Sequence, residues 1–447
     1  MGLIWEMNWK WCVLLYGGLS LWMSSEAYAQ LDLDTLYMQQ DVTEIIASRD
    51  SLRMRDQLDS IVGQAIRQEA FPGCQILLAQ YGKVFYEKSF GYHTYDSVRE
   101  VRNSDLYDLA SITKIAATTL ALMRLTDEGL LDLDQTMGYY FPYLKRSNKK
   151  DLTVRKVLAH QSGLKNWIPY YQESMRRNGK YRRKTISTDS SAQYPNRIPG
   201  SDLYLYRAYY DRQIKRAIKR SKLYKEESYV YSGLAFYLFP ELIERMTGES
   251  FEDYLRDTFY EPIGANSLGF EPLKRYPLTQ IVPTEIDTFF RMGPLHGVVH
   301  DEGAAVMQGV SGNAGLFSNA EDLAKLLQMW LNGGTYEGRR YLSDAVIEEY
   351  TRRQYGDLDN RRGLGFDKPL IEYDSIKSSV AQAASPNSYG HSGYTGTLVW
   401  MDPDNGLLFV FLANRVYPTR DNRRIYELNV RPEIHTVVYD WLEKQKS

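Results

Sequence analysis

The run Leu109-Ala110-Ser111-Ile112-Thr113-Lys114-Ile115-Ala116-Ala117-Thr118-Thr119-Leu120 sets a serine and a lysine three residues apart at the head of an apolar stretch. On a helix, positions i and i+3 share a face, so Ser111 and Lys114 would look into the same space. A serine hydroxyl attacks poorly until a base takes its proton. A lysine serves as that base when burial or neighbouring positive charge makes its ammonium acidic. The helix N-terminus favours negative charge developing on the serine oxygen. Ser-x-x-Lys occurs three times, at Ser111, Ser147 and Ser162. Ser147 falls in a charged turn and Ser162 precedes a glycine. Only Ser111 opens a long apolar helix, through Leu120, Leu122, Met123 and Leu125 to a stop at Gly129.

Upstream, Leu58, Ile61, Val62, Ala65 and Ile66 repeat at helical spacing from Asp50 to Phe71-Pro72-Gly73. Cys74 to Gln80 and Val84 to Tyr92 read as two strands around the turn Tyr81-Gly82-Lys83. Downstream, Thr153 to His160 reads as a short helix and Tyr231 to Thr247 as an amphipathic one ending at Gly248. Ser318-Asn319-Ala320-Glu321 reads as a capping box before a helix reaching Leu331. Thr397 to Met401 and Leu407 to Ala413 flank the turn Asp402-Pro403-Asp404-Asn405-Gly406. Pro432 starts a final helix. Strands at both ends with helices between predict an α+β fold. Its antiparallel sheet would join N- and C-terminal segments, flanked by the two terminal helices, with a helical subdomain inserted. Within a domain spanning 50–445, the sheet part is 50–108 and 316–445, and the helical part is 109–315.

The 447 residues suit one large domain or two modest ones. A net charge of −2 argues against a general nucleic-acid binder. Residues 1–29 read as an export signal: Lys10, an apolar run from Trp11 to Met23, then Ala27-Tyr28-Ala29 as a cleavage site, with the mature chain starting near Gln30. The run is too short for a comfortable membrane span, so a periplasmic or secreted protein with no stable span is expected. Residues 30–49 read as a lead-in strap. The mature chain keeps only Cys74, which excludes an internal disulfide and a Cys-based metal site. Residues 165–228 are rich in Tyr, Arg and Lys, with one cluster at Arg176, Arg177, Arg182, Arg183 and Lys184. A second cluster, Arg212, Lys215, Arg216, Lys219 and Arg220, falls on a helix. The expectation is a solvated face of an inserted subdomain; the sharper reading is a lid or wall that greets an anionic or carbohydrate-rich substrate.

Two further stretches stand in order after Ser111-x-x-Lys114: Tyr229-Val230-Tyr231-Ser232-Gly233 and Gly390-His391-Ser392-Gly393-Tyr394-Thr395-Gly396. The three together resemble the serine β-lactamase and penicillin-binding-protein superfamily, in the branch of class C β-lactamases, D-Ala-D-Ala carboxypeptidases and related esterases. Supporting stretches are Phe71-Pro72-Gly73, Leu158-Ala159-His160-Gln161-Ser162-Gly163-Leu164 and Gly312-Asn313-Ala314-Gly315-Leu316-Phe317-Ser318. Longer runs, among them His296-Gly297-Val298-Val299-His300-Asp301-Glu302 and Asn414-Arg415-Val416-Tyr417-Pro418, are similar to serine hydrolases of Bacteroidetes-type bacteria. The likeness covers roughly residues 50–445.

The resemblance implies a β-lactamase/transpeptidase-like fold and an acyl-enzyme chemistry without cofactor or metal. Ser111 would be the acyl-accepting nucleophile and Lys114 its activator. Tyr231 would take part in proton transfer, and His391 would steer a substrate carboxylate or relay a proton. Backbone N–H groups of Ser111 and of Tyr394, on the edge strand, would form the oxyanion hole. Ser392, Gly393 and Gly233 would border the substrate, a small molecule, peptide or glycopeptide pairing with that strand. Two departures matter. Gly233 stands where the branch has asparagine, which puts β-lactamase action in doubt and leans toward ester-like or unusual peptide substrates. His391 replaces lysine, leaving that position neutral or partly charged.

A metal enzyme could be argued from His296 and His300, but Gly297, Val298 and Val299 weaken a helix there and no third histidine is close in sequence. The reading from another class is a non-catalytic envelope protein that binds peptidoglycan or another glycan. Retention of Ser111, Lys114 and Tyr231 together favours the enzyme.

Overall fold

Tyr81 and Gly82 both take the left-handed backbone, at φ 48° and 77°. That is the turn whose twist suits a two-residue hairpin. It joins β1 (Gly73–Gln80) to β2 (Lys83–Gly91). In this computed structural model, residues 49–224 and 229–446 are described. The proposed export signal and nearly all of the lead-in strap lie outside them. One compact unit begins at Arg53; a separate unit, Met1–Leu52, is described only from residue 49.

Three strands return from the far end of the chain: β3 (Tyr389–Ser392), β4 (Leu398–Asp402) and β5 (Leu407–Ala413). The sheet order is β3-β4-β5-β1-β2, antiparallel throughout. β1 is therefore an interior strand between β5 and β2, with Ile76 opposite Phe411 and Leu78 opposite Phe409. Alternate side chains serve two cores. Leu77, Ala79, Val399, Met401, Leu408, Val410 and Leu412 join the main core. The other face meets the terminal helices α1 (Arg49–Arg67) and α5 (Val430–Lys446). There Tyr86 donates to Asp59 at 2.7 Å, Phe85 stacks on Trp441 and Phe409 stacks on His435. This is the expected α+β sheet flanked by terminal helices.

Tyr107–Asp108 pairs with Phe317–Ser318, so the chain leaves the sheet layer and returns to it at one seam. The helix after Ser111 begins irregularly. A 3₁₀ turn (Ala110–Ile112) passes into a π-helical turn (Lys114–Thr119) and only then into α2 (Leu120–Asp127). Three sequence-predicted boundaries move. Tyr231 is not helical: the α-helix α3 is Phe239–Thr247, with Pro240 in its first turn, where a missing N–H costs nothing. For the same reason α5 starts at Val430, two residues before Pro432. The cap of α4 (Ala320–Leu331) is Asn319, whose side chain accepts the N–H of Asp322, and not Ser318.

The tyrosine-rich region is less a solvated face than the sequence suggests. Tyr170, Tyr171 and Tyr209 are buried in the main core. Two of their hydroxyls find partners: Tyr209 shares a hydrogen bond with Ser174 at 2.7 Å, and Tyr171 accepts from the Gln172 side chain at 2.9 Å; nearby, Tyr210 donates to the carbonyl of Tyr237 at 3.0 Å. The basic side chains Arg176, Arg177, Arg212, Arg216 and Arg220 do reach solvent.

Candidate active site

Asp108 sets the approach to Ser111. Its buried carboxylate accepts the N–H of Ala110 at 2.8 Å and that of His300 at 2.7 Å. Burial is the largest influence on this carboxyl and pushes its pKa up. Ala110, a non-glycine residue, is held at φ 46°, in the left-handed region. Such strain persists only where neighbours over-determine it. Here Thr395 donates to the Asp108 carbonyl at 2.8 Å and Leu109 donates to Leu316 at 2.9 Å.

Lys114 is 2% exposed. Its Nζ donates to Ser111 Oγ at 3.0 Å and to the carbonyl of Asn313 at 2.9 Å. The Asn313 side chain donates to Tyr237 at 3.1 Å and Asp301 at 3.3 Å, which fixes that carbonyl. Tyr231 stands beside the pair, its ring centroid 5.5 Å from Lys114 Nζ. Two imidazoles flank the same ring, His160 at 4.6 Å and His391 at 6.0 Å between centroids. Ser111, Lys114, Tyr231 and His391 are thus brought together from three separate stretches.

Both histidines are neutral. Burial first, then the charges of Arg362 and Lys114, pushes His391 down to about 3. Burial, with Arg362 next, pushes His160 well below the usual imidazole value. Of the two readings for this position, neutral or partly charged, the lowered pKa favours the neutral one, which offers no charge to a carboxylate near neutral pH. The hydrogen bonds assign the tautomers. His391 Nδ1 donates to the Ser392 carbonyl at 2.7 Å, leaving Nε2 as a bare acceptor. His160 Nδ1 accepts the N–H of Ser232 at 3.2 Å, so its Nε2 carries the proton. Neither Nε2 has a partner among the described residues.

The nearby positive charge comes from a residue the sequence reading missed. Arg362, 5% exposed, lies with Cζ 5.0 Å from the Tyr231 ring centroid. It donates to Tyr229 at 3.3 Å and pairs with Asp367 at 3.4 Å. Arg361 holds the same Asp367 through two bonds, at 2.7 and 3.0 Å. Arg361 and Arg362 thus share one carboxylate. A buried surplus of positive charge favours an anion, in a bound molecule or on a reacting oxygen. His160 was visible in the sequence only as part of a supporting stretch.

Tyr394 is in the turn after β3 rather than on the edge strand itself, since β3 ends at Ser392. Its ring packs on Arg415 at 4.5 Å, while the next residue, Thr395, bonds the Asp108 carbonyl at the approach to Ser111. Part of the outer edge of β3 is already paired, because Asp367 and Gly390 exchange two backbone bonds at 2.8 and 3.0 Å. A chain adding to this edge would find its free length toward Ser392. Gly233 leaves room: a Cβ there would sit 3.9 Å from both Asn313 Cβ and Lys114 Cε. Of the paired histidines, His296 bonds the carbonyl of Ile281 at 2.6 Å and His300 pairs with Glu285 at 2.9 Å. No group of three or more metal-ligating residues occurs among the described residues.

Gly393 is where the turn after β3 meets the Ser111 turn. A Cβ there would lie 2.0 Å from Thr397 Oγ1 and 2.6 Å from the Leu109 carbonyl. Gly393→Ala is expected to lower kcat/KM by about 10²-fold, since small displacements at a reacting centre cost that much. Overpacking should also remove about 1–3 kcal/mol of stability. Steady-state rates alongside urea melts check this; unchanged rates in a folded variant would count against the placement of this turn at the reacting centre.

Residues 58–430 match the family model described as Beta-lactamase. The chain is 30% identical over 404 residues to a Salmonella gallinarum protein named "Putative D-alanyl-D-alanine carboxypeptidase", covering 84% of this chain and 86% of that one. A penicillin-binding protein homologue from Caulobacter crescentus superposes with a TM-score of 0.60 at 20% identity, covering 87% of this chain and 97% of its own. EstCE1, a hydrolase with promiscuous acyltransferase activity, gives 0.62 at 19%, covering 87% and 100%. The two structural likenesses concern the fold. Among the described residues no helix is long and apolar enough to cross a membrane.

Proposed function

Because the chain belongs to the beta-lactamase family, we propose that it is an exported serine hydrolase that forms an acyl-enzyme with a peptide, amide or ester substrate derived from the cell wall. The observation that carries this reading is the 3.0 Å contact between Ser111 Oγ and the buried Nζ of Lys114, with Tyr231 and neutral His391 around it. Lys114 takes the Ser111 proton while Oγ attacks the substrate carbonyl. The oxygen that becomes negative is received by the backbone N–H groups of Ser111 and Tyr394. Tyr231, between Lys114 and His391, passes the proton to the leaving group. Water then enters by the reverse route, breaks the acyl–serine ester and restores Oγ–H. The bare Nε2 of His391 is the neutral acceptor in this path.

A relative named for carboxypeptidase action supports a D-alanyl peptide as acyl donor. Gly233 supports esters and less usual peptides, because no side chain there binds the acyl amide. The test is covalent. The mature protein is incubated with a reporter penicillin, a fluorophosphonate and a p-nitrophenyl ester, then read by intact mass, peptide mapping and product release. A lasting penicillin adduct mapped to Ser111 would identify a penicillin-binding peptidase. Fast ester turnover with a fluorophosphonate adduct at Ser111 and no penicillin adduct would identify an esterase. No adduct with any probe would favour the envelope protein that binds peptidoglycan or another glycan without turnover.

A further inference from the structure

The inserted region carries a second cluster that the reaction does not use. The π-helical turn Tyr210–Lys215 runs into the helical turn Arg216–Arg220. Arg212, Arg216 and Arg220 fall four residues apart, on successive turns. With Lys165 they line a cavity of about 340 Å³, with Ile168 on its wall and Glu173 as its only acidic lining residue. Like charges at this spacing destabilise a helix. The helix has acidic partners to hand but spends them elsewhere: Lys215 pairs with Asp211 at 2.9 Å and Glu241 at 2.8 Å. Among the described residues none of the four cavity cations has a carboxylate within 4.0 Å. Among the described residues, a near-neutral chain has therefore concentrated positive charge without carboxylate partners in one concave place.

The cavity adjoins the reacting centre through its own wall. The carbonyl of Lys165 accepts the Ser232 hydroxyl at 2.6 Å, and that of the next residue, Asn166, accepts the N–H of Gly233 at 3.3 Å. One turn of chain thus holds the Tyr231-Ser232-Gly233 segment and presents Lys165 to the cavity. Behind the wall, Lys149 donates to the carbonyl of Ser221, another lining residue. Burial, and then the charge of Lys165, pushes Lys149 down to about 8.

We propose that this cavity is a subsite for an anionic group, carboxylate or phosphate, borne by the substrate away from its reacting carbonyl. Guanidinium forks pair two-to-two with either group. The word substrate rests on the serine-hydrolase reading above; the binding of the anion does not.

The test has two arms. In the first, Tm of the mature protein is followed with citrate, with inorganic pyrophosphate and with sodium chloride at matched ionic strength. The comparison is the triple variant Arg212→Gln, Arg216→Gln, Arg220→Gln, whose exposed side chains lie outside the catalytic group. A rise of about 2 °C at 10 mM beyond the chloride control is expected in the wild type and not in the variant. Which anion gives the larger rise tells carboxylate from phosphate. In the second arm, two p-nitrophenyl esters differ only in whether the acyl tail ends in a carboxylate or its methyl amide. The wild type is expected to show about tenfold lower KM for the charged ester, and the variant less than twofold, with the neutral ester unchanged. A Tm rise equal in both proteins, or absent from both, overturns the proposal, as does a KM preference that survives in the variant. A Tm rise confined to the wild type with no ester turnover would keep the anion site and reject the hydrolase reading.

Discussion

Lys114→Met is expected to lower kcat/KM for a p-nitrophenyl ester by about 10³ to 10⁴-fold, the range for loss of a positioned general base. Methionine keeps the length and the apolar contacts of the side chain, whose Nζ lies 5.5 and 5.6 Å from the ring centroids of Tyr231 and Phe236. What disappears is the nitrogen 3.0 Å from Ser111 Oγ. KM should move little, because the hydrogen-bond partners of Lys114 Nζ are the protein's own Ser111 hydroxyl and Asn313 carbonyl. The melting temperature should hold or rise, since a buried polar nitrogen with no carboxylate in contact among the described residues gives way to an apolar group. Lys114→Arg should not rescue activity: a guanidinium cannot give up its proton at working pH. Initial rates and the rate of acylation by a fluorophosphonate measure the effect. A loss under tenfold would mean that Ser111 has another base.

The second large effect is acid lability that begins well above the carboxylate range. His391 and His435 are both pushed down to about 3, burial being the main cause in each. His160 is pushed down in the same way. A lowered histidine adds stability that is complete above its unfolded value, about 6.5, and is lost as pH falls toward the folded value. Between those limits the unfolded chain binds protons that the folded one refuses. At pH 5 each such histidine removes about 2 kcal/mol, against a total of about 5–15. Below about pH 4.5 the loss steepens, because Glu285, held down to about 2 despite its burial by Arg420 and His300, begins to be protonated in the unfolded chain first. Tm followed from pH 8 to pH 4 should therefore fall from near 6.5. His435 stacks on Phe409 and accepts the N–H of Ala381 at 3.3 Å, remote from Ser111. His435→Phe should lower the plateau but flatten the slope, so that the two curves converge in acid. A wild-type Tm constant between pH 6.5 and 5 would contradict the burial of these imidazoles.

The sequence carried the sheet and the nucleophile because both are local signals. A two-residue turn with alternating apolar neighbours defines β1–β2, and the Asp402–Gly406 turn defines β4–β5; the strand ends moved by one residue. Ser111 and Lys114 were legible because helical spacing alone makes them neighbours. Helix starts were less so: Pro240 and Pro432 look like first residues, yet proline is also at home later in a first turn. Arg362 and Asp367 escaped notice for a physical reason. A charged residue in a loop is usually solvated, and nothing in Asn360-Arg361-Arg362-Gly363 shows that the guanidinium is buried against a tyrosine more than a hundred positions earlier. The neutrality of His391 was equally hidden, because it depends on burial and on that same arginine.

The pairing of β1 with β5 has a consequence for how the molecule is made. Cys74 meets Ala413 and Gln80 meets Leu407, so β1 acquires its second neighbour only after nearly the whole polypeptide has been synthesised. Until then a largely apolar strand offers an open row of amide and carbonyl groups to whatever passes, the geometry that invites intermolecular association. Contacts this distant along the chain also make for slow folding. Nascent chains that stop short of residue 407 should collect as aggregates or on holding chaperones, whereas release of the last forty residues lets the sheet close in a single late event.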